Sequence, residues 1–179
     1  MVTAAQIMAR TVTAAAAVVV LVGCNASPAQ PDHPKPASPR ETARQAAERS
    51  ALAAYRDMWA AIAAAGLSSN AADPTLAKYA ADPALGVITK KLASDKNSGR
   101  VTRGTYATNP VVTSVAPLTA PTKVDLRDCF DDTRWLRYRK DTGKLDDTPG
   151  GRHRTTAVVQ DLGGWRVTSF ALDDQVGSC

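Results

Sequence analysis

Two residues of this chain, Asp128 and His153, are placed by their neighbours where a side chain could handle a proton. In Val124-Asp125-Leu126-Arg127-Asp128-Cys129-Phe130, strand alternation puts Val124, Leu126, Asp128 and Phe130 on one face. An aspartate on that otherwise apolar face is a local inconsistency. His153 heads the alternating set Thr155, Ala157 and Val159 of the next long strand. A carboxylate and an imidazole inside one cavity is the combination used for general acid–base work. The same residues also have a plainer reading. Asp128 pairs with Arg152, Arg154 or Arg166, or caps a turn at Asp131-Asp132, while His153 lies exposed among arginines. Around them, Arg134, Arg137, Arg139, Lys140, Arg152 and Arg154 interleave with Asp128, Asp131, Asp132, Asp141, Asp146 and Asp147, which describes a solvated, self-paired face. Tyr55, Trp59, Trp135 and Tyr138 are candidates for a pocket or partner surface; alternatively Trp135 and Tyr138 simply pack against the helix that carries the other two. There is no nucleophile elbow, P-loop or dinucleotide fingerprint, so no cofactor is expected.

The three cysteines divide by context. Leu21-Val22-Gly23-Cys24 resembles the lipobox of bacterial lipoproteins, and the preceding run Val12 to Val22 is apolar except for Thr13. As a helix that run covers about 16 Å, roughly half of a hydrocarbon core of about 30 Å. It reads as the core of a signal peptide and not as a span. The resemblance implies that residues 1–23 are removed and that Cys24 carries a diacylglyceryl group. Two acyl chains anchor stably where one does so marginally, so the expected location is the outer face of the cytoplasmic membrane. Cys129 and Cys179 are then an even pair in an oxidising compartment, and a disulfide between them is expected. With both thiols committed and one histidine left in the domain, no metal site is expected. Net charge is +5, or +4 without the leader, and is spread along the chain, which excludes a nucleic-acid footprint.

Several elements must position these residues. Residues 24–40 hold five prolines among Ala, Ser, Gln and Lys and read as an extended tether; the domain proper spans 41–179. Ser38-Pro39-Arg40-Glu41 is a capping box with proline at the first helical position. It opens a helix that runs to about Ala65, with Gly66 as its cap, and Leu52, Tyr55, Trp59 and Ile62 form its apolar face. Asp73-Pro74 and Asp82-Pro83 each predict a further helix start. After Gly99 the period changes to two. Strands are predicted over residues 100–106, 111–118, 123–130, 152–161 and 165–172, with a short edge strand over 135–140. Leu162-Gly163-Gly164 is a tight hairpin signal. Helices followed by antiparallel strands make an α+β chain whose helices pack on one face of a curved sheet.

The run Val124 to Cys129, with Tyr138, Thr142-Gly143, Gly150 to Thr156, Gly164-Trp165-Arg166-Val167 and Cys179, resembles a group of uncharacterised exported lipoproteins of high-GC Gram-positive bacteria. That group has a fold like nuclear transport factor 2, a cystatin-like α+β cone, and the resemblance covers roughly residues 38–179. It implies a cone that encloses a pocket, but no catalytic residues, since this fold hosts enzymes and binders alike. Three roles follow as expectations: a binding or accessory module with a small apolar ligand, a partner-binding module of an envelope complex using the Trp135 to Arg154 surface, or an acid–base enzyme of dehydratase or isomerase type using Asp128 and His153.

Overall fold

In a computed structural model, residues 38–179 are described; the expected signal peptide, Cys24 and almost all of the tether lie outside them. Helix α1, Pro39–Gly66, begins as its sequence dictates. Ser38 is the N-cap and its hydroxyl accepts the Glu41 N–H at 3.2 Å. Gly66 is the last helical residue and not a left-handed cap. It allows a close approach, because a Cβ there would lie 3.3 Å from the Thr102 side chain and press on it. Five buried alanines, at 47, 51, 54, 61 and 65, let α1 sit low on the sheet beside Tyr55, Met58 and Trp59.

Helix α2 (Pro74–Tyr79) is capped by Asp73, whose carboxylate accepts the Thr75 N–H at 2.9 Å. Helix α3 (Ala84–Asn97) starts two residues past Asp82, with Pro83 in the cap position. Asp82 still serves that first turn, because its side chain accepts the Gly86 N–H at 3.1 Å. No helix among the described residues is long and apolar enough to cross a membrane.

The strands are β1 (Arg100–Ala107), β2 (Val111–Ala116), β3 (Lys123–Arg139), β4 (Arg152–Asp161) and β5 (Trp165–Leu172). All neighbours are antiparallel, in the order β1-β3-β4-β5, with β2 on the same edge of β3 as β1. The separate edge strand expected over 135–140 does not exist. Its residues are the second half of a 17-residue central strand, which β1 flanks along 131–139 and β2 along 123–127. Between the two stretches read as separate strands the structure has a bulge and no break. Thr105 faces Arg134 while Ala107 faces Asp131, so β3 carries one residue more than its partner. Similar shifts occur between Val112 and Ser114 on β2 and opposite Val158 and Val159 on β5. Bulges add local twist, and the sheet is strongly curled. Helices and curled antiparallel sheet together make the α+β fold that the element order predicts, with one core between α1 and the sheet.

The described residues, 38–179, fall within one compact unit. The segment after β5 is bonded to β4: the Gly177 N–H donates to the Arg152 carbonyl, the Asp173 N–H to the Arg154 carbonyl, and the Arg154 N–H to the Ser178 hydroxyl, at 2.7–2.8 Å. The disulfide is present between Cys129 and Cys179, with Cα atoms 5.8 Å apart.

Candidate functional site

Below the mid-point of α1 the sheet face is aromatic. Trp59 stacks on Phe130 with ring centroids 4.1 Å apart, and meets Trp135 and Phe170 edge-on at 6.1 and 5.6 Å. Edge-on and offset contacts are the favoured arrangements for such rings. Trp59 is only 4% exposed, and its indole N–H has no hydrogen-bond partner among the described residues. Toward the C-terminal end of α1 the core opens into a cavity of about 540 Å3. Its floor is Trp59, Phe130 and Trp135; Ile88 and Leu92 of α3 form one wall, and Phe170 and Leu172 of β5 another. The segment 147–150, which leads into β4, closes the far side. A volume of this size suits a drug-sized ligand.

Trp59 and Trp135, two of the four residues proposed from sequence for a pocket or partner surface, line this cavity. The other two do not. Tyr55 is fully buried beneath α1 and donates a hydrogen bond to Asp128 Oδ2 at 3.0 Å. Tyr138 lies three positions from Trp135 on one strand, and an odd separation puts it on the opposite face. There the Arg103 guanidinium lies 5.7 Å from its ring.

Among the described residues Asp128 pairs with no arginine, and it caps no turn at Asp131-Asp132. Besides the phenol of Tyr55 it accepts the Asn109 N–H at 2.6 Å and the Cys129 N–H at 2.8 Å, both on Oδ1. It is 4% exposed. Burial first, and then the negative charge of Asp128, push the Tyr55 phenol well above its ordinary range, so it remains a donor. The polar residue on the apolar face is thus explained by a partner 73 residues upstream.

His153 is not exposed; its side chain is 12% accessible and lines the cavity. It lies opposite Phe130 on β3, while Asp128 lies opposite Thr155. No hydrogen bond or ion pair joins His153 to Asp128 among the described residues. The carboxylate near His153 is Asp132, whose Oδ1 lies 3.5 Å from Nε2, and Nδ1 lies 2.9 Å from the Asp173 carbonyl. A carbonyl oxygen only accepts, so in the neutral ring the proton sits on Nδ1.

Sequence reasoning missed three parts of the site. Asp132 follows Phe130 by two and so belongs to the same face, a signal that was present. Phe170 alternates with Thr168 and Leu172 and was legible as strand, though not as a cavity wall. The pair Arg137–Asp147 left no sequence trace, since it closes a loop of no fixed period. In it the Arg137 backbone N–H and Nε donate to Asp147 Oδ2 at 3.0 and 2.9 Å, and Nη2 donates to Oδ1. That bidentate contact holds the Asp147 carboxyl below its ordinary range and raises Arg137 further.

No protein-family model matches this sequence, and no curated protein matches it. Among solved structures it is similar to the crystal structure of the intermembrane space region of chloroplast protein ARC6. The identity is 17% and the TM-score 0.46, over 70% of this chain and 95% of that one.

Proposed function

We propose that this protein is a lipid-anchored extracytoplasmic binding module, held by Cys24 at the outer face of the cytoplasmic membrane. Its domain is a cone of the nuclear transport factor 2 type that takes a small, largely apolar ligand. The observation that supports the binding role is the open, aromatic-floored cavity of about 540 Å3 between α1, α3 and the sheet. Aromatic side chains left beside an unfilled volume lose contacts that a ligand would restore.

Trp59 and Trp135 are built-in reporters of occupancy. Residues 36–179, purified without detergent, are expected to carry a small apolar molecule detectable by mass spectrometry, and its removal should shift the tryptophan emission. Leu172→Trp, which fills the cavity from its half-buried wall, should abolish both signals while the circular dichroism stays unchanged. An empty wild-type domain whose emission responds to no apolar probe would overturn the binding reading. The anchor has its own check. Cys24→Ser in the full chain should leave the membrane fraction and lose fatty-acid label; a variant that stays membrane-bound and labelled would contradict it.

A further inference from the structure

We infer that the cavity selects ligands carrying an amine, and that Asp132 and His153 receive its N–H groups. This deepens the binding reading and rests on it. Three basic and three acidic side chains line the cavity: Lys91, Arg137 and His153, with Asp95, Asp132 and Asp147. Both permanent cations are already satisfied. Lys91 is paired with the buried Asp95 one helical turn away, and Arg137 is bound bidentately to Asp147. A carboxylate or phosphate ligand therefore meets no unpaired cation, and would sit beside three carboxylates.

Acceptors are in the opposite position. Asp132 Oδ1 takes one hydrogen bond, from the Gly151 N–H at 2.7 Å, and Oδ2 takes none among the described residues. In its neutral form the neighbouring His153 commits its Nδ1 proton to the Asp173 carbonyl and leaves the Nε2 lone pair beside Asp132 at 3.5 Å; a protonated ring would pair with Asp132 instead. With the ring neutral, a carboxylate and an imidazole lone pair thus face the same volume with no donor between them. An ammonium offers three N–H donors and a positive charge, and so can serve both acceptors at once. The aromatic faces beside them also favour a cation over an anion. The Asp132 side chain is 29% exposed, so the contact would be charge-assisted but partly solvated.

The test uses residues 36–179 and three probes that share a naphthalene body: 1-naphthylmethylamine, 1-naphthalenemethanol and 1-naphthylacetate, titrated by calorimetry. The amine should bind about tenfold more tightly than the alcohol, with the carboxylate weakest. Asp132→Asn keeps an acceptor for the Gly151 N–H but removes the charge, so it should erase the amine's advantage while lowering the alcohol's affinity far less; retained alcohol binding also shows that the cavity is intact. If that variant loses the alcohol entirely, His153→Leu decides: the amine's advantage must fall there while the alcohol still binds. Equal binding of all three probes, or an amine preference that survives these substitutions, would overturn the selectivity and leave the cavity a binding site. Failure of every probe to bind would overturn the binding reading itself.

Discussion

Asp128→Ala is expected to destabilise the domain by about 3 kcal/mol, because it strands donors that have no other partner. Three N–H or O–H groups converge on that carboxylate, from Tyr55, Asn109 and Cys129. The phenol is the worst placed of them, being fully buried under α1. Each stranded buried donor costs about 1–3 kcal/mol, and the penalty shrinks where water can reach. Asn109 is exposed, so the sum should stay near the low end. For a domain of this size the melting temperature should fall by roughly 10 °C. The cause can be separated from simple loss of volume by a double-mutant cycle. Tyr55→Phe should cost about 1 kcal/mol in the parent chain and nothing in Asp128→Ala, where the hydroxyl has already lost its acceptor. Additive costs would mean that the two side chains do not act as a pair.

Cys179→Ser should produce a loss of similar or greater size by a different route. The bridge spans 50 residues of sequence, and closing a loop of that length reduces the entropy of the unfolded chain by an amount worth about 4 kcal/mol. The folded state should change little, because residues 173–178 keep their bonds to Arg152 and Arg154. Two readouts separate these contributions. The denaturation midpoint should drop strongly, with the slope of the transition altered as the unfolded chain expands. Amide exchange at Arg154, whose N–H is held by the Ser178 hydroxyl, should accelerate only modestly under native conditions. If instead exchange there became as fast as in an unstructured peptide, the bridge would be what holds the segment in place, and the backbone bonds would be secondary.

Local chemistry made much of this fold legible. Ser38 and Asp73 announce helix starts because a short oxygen-bearing side chain can accept an N–H that the helix leaves free. The alternation of Val124, Leu126 and Phe130 marks a buried strand face, and the buried residues agree. Cysteine parity, once Cys24 is assigned to lipid, gave the observed pair. What could not be read depends on register. Asp128 looked like half of a catalytic pair because its partner, Tyr55, comes from another element, and a sequence does not state how a helix lies over a sheet. The continuity of β3 was hidden because the bulge interrupts the two-residue period at Asp132-Thr133. Of the cavity, Trp59 and Trp135 were visible as aromatic residues in need of burial. The charged lining was not, because Arg137 and Asp147 meet across a loop whose course no periodicity constrains.

The extra residue in β3 makes the cavity a matter of counting. Before it, even-numbered positions such as Leu126 and Phe130 face α1; after it, odd-numbered Trp135 and Arg137 do. Flattening the bulge at constant length would restore a uniform period, and the distal half of the strand would present Leu136 and Tyr138 inward in place of Trp135 and Arg137. Every side chain would remain in the gene, and the proximal core would keep its pattern, yet the binding end would be turned inside out. Exchanging one floor residue only tunes the site, whereas a slip of one position in the pairing replaces it wholesale. By the same count, deleting one residue from 131–134 together with the bulge would leave Trp135 and Arg137 facing inward.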